Sequence, residues 1–317
     1  MVIPIISRNF PKSYIDLSRL LLRLEPSHSS KKEVEKKFHQ IEAGYFGEKL
    51  VDNTLLEINF PSHYCILPDV HLKVHDHLYI QMDTLIVTKK YLLVIEVKNI
   101  VGTITFHKHS GQTIRTLDGV KTPFECPISQ INRHVQSLEQ MRFPLPIFKA
   151  IVYSSNRVIL ENVPMDEPIF FRKNLSSYIH HLNKKEDRID TSQFHDLIRK
   201  IQSMQHIIQR KPLCDRWRVS PESLIKGLLC NVCGNILYKI SNKTWKCTKC
   251  ESNDRTPIMH NINDYFILVK DSITTTECKE FFHLSSTHEA YYMLKKCNLI
   301  NVNNARKSVY RRNMKVL

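Results

Sequence analysis

Two CxxC pairs constrain the fold of this chain more than any other feature of its sequence. Cys230 and Cys233 form the first pair, Cys247 and Cys250 form the second, and the 13 residues between the pairs have the pattern of a short β-hairpin. Four thiolates satisfy the tetrahedral coordination of Zn²⁺ and leave no open position for catalysis. The sequence therefore predicts a structural zinc ribbon, with two disulfides or free thiols as the alternative.

The net charge of the chain restricts its partners. The 317 residues carry a formal charge of +15, and an excess of this size attracts polyanions through phosphate contacts and counterion release. DNA is the favoured partner and RNA is a second candidate. We expect no membrane association, because the sequence contains neither a spanning apolar run nor a strongly basic amphipathic helix. The first residues lack the features of a signal peptide and CxxC pairs favour metal binding in a reducing compartment, so we expect a cytoplasmic protein.

Changes in composition along the chain predict five segments. Single hydrophobic cores usually stop growing well below this length, so we expect two or three cores. The segments are an N-terminal extension at 1–30, an α/β domain at 31–210, a linker at 211–226, the zinc ribbon at 227–257 and a C-terminal element at 258–317. The longest of them, the α/β domain, has room for a core of its own.

The α/β domain has the pattern of a long helix followed by three strands. Residues 31–58 have apolar side chains near helical spacing, but Gly44 and Gly47 lie inside this helix, where each costs about 1 kcal/mol relative to alanine. We therefore expect the sheet or a ligand to approach the helix closely at both glycines. Three runs rich in Val, Ile, Leu and Tyr follow, and the last, LLVIEV, is apolar enough for a strand that is covered on both faces. The predicted domain continues with a hairpin extension, a helix at 127–141, strands at 147–153 and 167–171, and helices at 174–184 and 191–208.

Two carboxylates and a lysine in these strands suggest a metal site. Asp83 lies in the second strand. Glu96 and Lys98 lie two residues apart in the third strand, so the side chains of Glu96 and Lys98 project from the same face of that strand. Buried carboxylates are costly unless they are paired or bind a cation, and Mg²⁺ takes one or two carboxylates together with water and phosphate oxygens. In a hydrolase the metal would polarise the phosphoryl group and Lys98 would position the attacking water. The alternative is an exposed Asp83 at a strand end and a salt bridge between Glu96 and Lys98.

Several motifs around these residues together resemble one family. They are EAGYFGEK at 42–49, QMD at 81–83, IEVKNIVGTI at 95–104 and PISQ at 127–130. Over roughly residues 40–150 the chain resembles the nuclease-related domain, NERD, which is placed among the PD-(D/E)XK restriction-endonuclease-like nucleases. The resemblance implies an αβββαβ core in which Asp83 and Glu96 bind Mg²⁺ or Mn²⁺ and Lys98 is the motif lysine.

The resemblance also implies site residues outside the strands. Glu48 on the first helix could reach the metal through water, and Gln130 on the following helix would support the site, although either side chain could instead lie on a solvated face. Cys126 departs from the family pattern, which usually has asparagine before the PISQ motif. The implied activity is metal-dependent hydrolysis of phosphodiester bonds in DNA. The alternative is a non-catalytic DNA-binding or regulatory protein that uses a nuclease-like scaffold.

The C-terminal element has the pattern of a small winged helix. Thr274 and Ser286 are placed to cap two short helices, and the tail at 301–315 supplies five cations around a tyrosine, in the position of a β-wing. This resembles a winged helix-turn-helix, in which the second helix enters the major groove of DNA and the wing contacts phosphates. The alternative is a helical cap that packs on the ribbon.

The ribbon hairpin carries a mixture of basic and aromatic residues. These are Lys239, Lys243, Trp245, Lys246 and Lys249. Such a mixture could follow a nucleic-acid backbone. The alternative is that Trp245 covers the small core of the ribbon.

Overall fold

The structure, a computed structural model, describes residues 7–107, 110–206, 210–241, 243–304 and 307–313. The helices are α1 (Lys12–Arg23), α2 (Lys31–Leu56), α3 (Pro127–Gln140), α4 (Leu175–Asn183), α5 (Thr191–Ser203), α6 (Leu213–Trp217), α7 (Pro257–Leu268), α8 (Thr275–Phe282) and α9 (Thr287–Lys296). The strands are β1 (Tyr64–His75), β2 (Leu78–Thr88), β3 (Leu92–Lys98), β4 (Gly102–His107), β5 (Gln112–Leu117), β6 (Val120–Phe124), β7 (Ile147–Tyr153), β8 (Val158–Glu161), β9 (Ile169–Phe171), β10 (Leu237–Ser241), β11 (Thr244–Cys247), β12 (Asn253–Asp254), β13 (Ser272–Thr274), β14 (Leu299–Asn304) and β15 (Lys307–Arg312). Within these ranges, no helix combines the length and the apolar character that crossing a bilayer requires.

The chain folds into two compact units that do not follow its linear order. The first unit contains the described residues 7–10 and 42–206, and the second contains 11–41 and the described residues between 210 and 313. This division differs from the predicted segments, because residues 7–10 belong to the first unit and residues 31–41, predicted as the start of the α/β domain, belong to the second. Helix α1, inside the predicted extension, and helix α6, inside the predicted linker, both contribute buried side chains to the core of the second unit. Helix α6 has only five residues, and helix α1 has many polar residues beside its buried leucines. Both sequences therefore resemble connecting segments.

A five-stranded sheet in the order β1-β2-β3-β7-β9 forms the centre of the first unit. Strands β1, β2 and β3 pair antiparallel, and β7 and β9 continue the sheet in parallel. Successive side chains of β3 enter two different cores, with Leu92 and Val94 in one and Leu93 and Ile95 in the other. The prediction of a central strand covered on both faces is therefore confirmed. The order α2-β1-β2-β3-α3-β7 is the expected αβββαβ core of an α/β fold.

Three strands are inserted between β3 and α3, where the sequence predicted a hairpin. Strands β4, β5 and β6 form a meander, and β8 joins it by pairing parallel with β4. Strand β6 is largely exposed and lacks alternating apolar residues. The sequence therefore carried little signal for this third strand.

The two glycines of α2 differ in what lies beside them. A Cβ atom on Gly47 would lie 2.3 Å from Cβ of Asn99 and 2.8 Å from Oγ of Ser154, residues that directly follow β3 and β7. The helix therefore approaches the ends of two central strands at Gly47, as expected. Among the described residues, nothing lies within 4 Å of a Cβ built on Gly44. The expectation that the sheet approaches Gly44 is wrong, and the approach of a ligand there stays a prediction.

The second unit combines the ribbon with a winged-helix order of elements. The ribbon sheet has the order β10-β11-β12, and a second sheet, β13-β15-β14, accompanies α7, α8 and α9. Thr274 and Ser286 cap α8 and α9 through their side-chain oxygens, as predicted. The order α7-β13-α8-α9-β14-β15 is the one that a winged helix requires. Of the five predicted wing cations, Arg306 and Lys315 lie outside the described residues.

Candidate functional site

Asp83 lies where the pairing between β2 and β3 stops. The register ends at the pair Thr84 and Ile95. Beyond that pair, Oδ2 of Asp83 accepts a hydrogen bond of 2.7 Å from the backbone N–H of Val97. A side-chain oxygen thus takes the place of a ladder bond, and the carboxylate is held at the end of the paired region with only one of its oxygens used in this way.

Glu96, Lys98 and Gln130 form a connected group beside it. The ammonium of Lys98 donates to Oε1 of Glu96 at 2.6 Å and to Oε1 of Gln130 at 2.9 Å. The side chain of Glu96 is 2 % exposed, and its second oxygen, Oε2, is buried without a hydrogen-bond partner among the described residues. The ion pair that the sequence left as an alternative is therefore present. It leaves one buried carboxylate oxygen available for a further ligand.

His134 extends this group and was not predicted from the sequence. It lies one turn after Gln130 on α3, and its Nδ1 is 3.8 Å from Oε2 of Glu96. This nitrogen is also buried without a hydrogen-bond partner in the described part of the chain. Burial, reinforced by the charges of Arg133 and Lys98, lowers the pKa of His134 to about 4, so the imidazole is neutral at pH 7. The spacing of Gln130 and His134 by four residues on one helix was the available signal.

A buried arginine, Arg8, connects Glu48 to strand β2. Its guanidinium donates to Oε2 of Glu48 at 2.6 Å and to the two carboxylate oxygens of Asp52 at 2.8 and 3.0 Å. It also donates to the backbone oxygen of Asp83 at 2.9 Å and to Oγ1 of Thr84 at 2.8 Å. Glu48 is therefore held by a cation beside the site and does not lie on a solvated face. Arg8 stands in the predicted N-terminal extension, outside any motif, and sequence reasoning missed it.

The carboxyl groups of this region resist ionisation. Burial, followed by the charge of Asp83, raises the pKa of Glu48 to about 8 and that of Glu96 to about 7. Burial also raises the pKa of Asp83. Arg8 and Lys98 oppose these shifts but do not cancel them, because two cations face four neighbouring carboxyl groups, including Asp52. A divalent cation would supply the missing positive charge, and Asp83 with the free oxygen of Glu96 fits the ligand set that Mg²⁺ or Mn²⁺ takes.

Part of the chain is similar to a known protein family. Residues 43–154 match the family model described as the nuclease-related domain, NERD. This segment is a nuclease-related domain. No curated protein and no solved structure matches the chain significantly. The segment contains each of the five residues singled out from the sequence, Glu48, Asp83, Glu96, Lys98 and Gln130.

The four ribbon cysteines lie outside the nuclease-related domain and fit a zinc site. Their Sγ atoms all lie within 4.8 Å of one another, with 3.7 Å between Cys230 and Cys250 and 3.3 Å between Cys233 and Cys247. Zn–S bonds of about 2.3 Å in a tetrahedron place sulfur atoms about 3.8 Å apart. A disulfide would require about 2.05 Å, and all four cysteines are free of disulfides. The geometry agrees with the predicted ribbon and not with the disulfide alternative.

The aromatic residue of the ribbon has a structural position. Trp245 is 7 % exposed and belongs to the core of the second unit. Lys239 lies over its ring, 5.9 Å from the centroid, and pairs with Glu289, while Lys246 lies 3.5 Å from Glu251. The indole of Trp245 therefore covers the ribbon core, one of the two roles that the sequence allowed for it. Contact of the hairpin lysines with a nucleic-acid backbone stays a prediction.

Proposed function

We propose that the nuclease-related domain hydrolyses phosphodiester bonds of DNA in a reaction that requires a divalent metal ion, Mg²⁺ or Mn²⁺. The observation that carries the proposal is the free, buried Oε2 of Glu96 beside Asp83, Lys98 and Gln130. A structural ion pair would have no need for an unpartnered buried oxygen, which costs about 1–3 kcal/mol. We further propose a cytoplasmic location, which the CxxC pairs support because they favour metal over disulfides.

The proposed roles follow from the hydrogen bonds of each side chain. Asp83 and Glu96 would hold the cation, which when bound supplies Lewis-acid polarisation of a phosphate oxygen. The ammonium of Lys98 has three N–H donors, and two of them are used by Glu96 and Gln130. The third can orient the attacking water, and the positive charge can stabilise negative charge that develops on the phosphate. Gln130 acts as a positioning residue because it fixes the Lys98 side chain.

The proposal is tested by cleavage of supercoiled and linear DNA with wild-type protein and Glu96→Ala, each with and without Mg²⁺ or Mn²⁺. We expect metal-dependent cleavage by the wild type and a loss of more than about 100-fold in the variant, since the variant lacks a ligand of the ion that polarises the phosphate. The product pattern separates endonuclease from exonuclease action. An RNA substrate of the same sequence, in a parallel reaction, tests whether DNA is preferred.

Glu139→Ala is the matched control. Glu139 is exposed and lies nine residues after Gln130 on α3, more than two helical turns further along, so its loss should leave cleavage unchanged. Folded wild-type protein that binds DNA tightly but never cleaves it would contradict the proposal. The nuclease-related domain would then be a non-catalytic scaffold for DNA binding or regulation.

Metal binding at this site should depend on pH. A carboxyl group must lose its proton to bind Mg²⁺, and the pKa of Glu96 is raised to about 7, so protons compete with the metal below that pH. Because the ionised fraction of such a group rises from about 0.1 to about 0.9 between roughly pH 6 and 8, we expect the affinity for Mg²⁺ to rise by about tenfold over this range. Isothermal titration of Mg²⁺ into zinc-loaded protein measures this affinity.

Titration in two buffers of different ionisation enthalpy counts the protons released. The wild type should release nearly one proton per Mg²⁺ near pH 6 and about half a proton near pH 7. Glu96→Gln, which keeps the shape of the side chain, should abolish the binding, while Glu139→Gln should preserve it. Mg²⁺ binding with the same affinity at about pH 6 and 8 would show that Glu96, the carboxyl group with the raised pKa, is not a ligand.

A further inference from the structure

Strands β10 and β11 of the ribbon and helix α9 line a groove of about 360 Å³ in the second unit. The lining residues include four basic side chains, Lys239, Lys243, Arg255 and Lys296, and a single carboxylate, Glu289. All four basic residues are exposed. A concave surface with this excess of positive charge favours an anionic ligand.

The carboxylate does not cancel this charge. Glu289 accepts hydrogen bonds from the backbone N–H of Ser285 at 2.9 Å and from its hydroxyl at 2.6 Å, and it lies 2.5 Å from the ammonium of Lys239. Glu289 and Lys239 therefore compensate each other. The other three cations, Lys243, Arg255 and Lys296, take part in no ion pair within the described ranges. Three uncompensated positive charges thus face one groove.

An exposed aromatic side chain lies among these cations. Tyr292 is 53 % exposed, and its ring packs edge-to-face against His288, with the ring centroids 4.7 Å apart. Exposed aromatic rings beside basic side chains bind single-stranded nucleic acids, because every base can stack on a ring. Trp245 also lines the groove, but its burial leaves Tyr292 as the aromatic residue that is free to stack.

We propose that this groove binds a single strand of nucleic acid, with Lys243, Arg255 and Lys296 on backbone phosphates and Tyr292 on a base. The proposal concerns residues outside the nuclease-related domain and does not depend on cleavage activity. It also differs from the sequence-based expectation. The hairpin lysines in ion pairs and the buried Trp245 have no part in the proposed site, whereas Arg255 and residues of α9 do. Phosphate contacts and base stacking both tolerate any sequence, so the groove should bind without sequence preference.

The salt dependence of binding tests the phosphate contacts. Fluorescence anisotropy of a labelled single-stranded oligonucleotide is measured with the full chain, zinc-loaded and without Mg²⁺, over a series of KCl concentrations. Replacing Lys243, Arg255 and Lys296 together by glutamine should reduce the magnitude of the slope of log K against log[KCl] by about 2, because each phosphate contact to a single strand contributes about 0.7. Lys243→Gln alone should reduce it by about 0.7 and serves as the test if the triple variant misfolds.

The stacking contact has a separate readout. Tyr292→Ala should weaken binding by about five- to 150-fold at a fixed salt concentration while leaving the salt slope unchanged, because the ring carries no charge. Tyr292→Phe should retain wild-type affinity. Tyr292→Ala should weaken the binding of a duplex of the same length much less, since its bases are already stacked.

Three exposed lysines of α2, Lys32, Lys36 and Lys37, provide the matched charge control because they do not line the groove. Their triple glutamine variant removes the same charge and should change the slope much less. Equal slopes in the two triple variants would overturn the proposal, since general charge and not the groove would then bind the oligonucleotide. Unchanged affinity for the single strand in Tyr292→Ala, or an equal loss of affinity for the single strand and the duplex, would overturn it as well. These results are independent of whether the protein cleaves DNA.

Discussion

Replacement of Cys247 by serine is expected to release zinc and to unfold the ribbon. Cys247 is 1 % exposed and lies among the four clustered Sγ atoms. Structural zinc supplies about 10–16 kcal/mol of binding free energy in zinc-finger peptides, and this is folding free energy when the unfolded chain has no preformed site. We expect the zinc content to fall from about one atom per chain to almost none. The urea concentration at the midpoint of unfolding should fall sharply.

The chain contains its own reporters for this measurement. Both of its tryptophans, Trp217 and Trp245, belong to the second unit, so intrinsic fluorescence follows the unfolding of that unit alone. Cys214→Ser is the matched control, because Cys214 is equally buried but lies outside the metal cluster. Cys214→Ser should lower the free energy of unfolding by about 1–3 kcal/mol, because it buries a hydroxyl group. It should leave the zinc content unchanged. Equal zinc contents in the two variants would contradict the zinc assignment.

Replacement of Asp264 by asparagine is expected to destabilise the second unit by about 3–5 kcal/mol, because it leaves buried positive charge without a partner. The carboxylate of Asp264 accepts hydrogen bonds from Nε of Arg19 at 2.6 Å and from Nε of Arg23 at 2.7 Å. Its side chain is 1 % exposed, and that of Arg23 is fully buried. Burial already lowers the pKa of Arg23, and the carboxylate is the group that compensates for its charge. Urea unfolding followed by tryptophan fluorescence measures the loss.

An exposed ion pair in the same unit gives the comparison. Glu251 lies 3.5 Å from Lys246, and its side chain is 76 % exposed. Glu251→Gln makes the same carboxylate-to-amide change and should cost less than about 1 kcal/mol, since water screens the pair. If the two variants lost equal stability, the buried network around Arg23 would not have the importance that its geometry indicates. Replacement of both Arg23 and Asp264 by apolar residues should lower the free energy of unfolding less than Asp264→Asn does.

The central sheet and most of the candidate site could be predicted because their signals are local. The apolar run of β3 indicated a covered strand, and the two-residue spacing of Glu96 and Lys98 placed both side chains on one face. The motif around Gln130 added the helix that closes over them. Spacing of the four cysteines likewise fixed the ribbon. In each case a few neighbouring residues contain the whole pattern.

The features that were missed depend on contacts between distant residues. Arg8 pairs with Asp52 across 44 positions, and Arg23 pairs with Asp264 across 241. Neither arginine stands in a motif, and the sequence offers no local pattern for such partners. The open space beside Gly44 was missed for the same reason, since it is decided by what another part of the chain places there.

The bonds of Arg8 have a consequence for proteolysis. The region that matches the nuclease-related domain begins at residue 43, yet the guanidinium that holds Glu48 and Asp52 comes from the eighth residue of the chain. Cleavage of the chain between Arg8 and residue 43 would separate one of the two cations facing the carboxyl groups from this region and would leave the family match intact. A shortened protein could therefore retain every recognisable motif while its charge balance is lost.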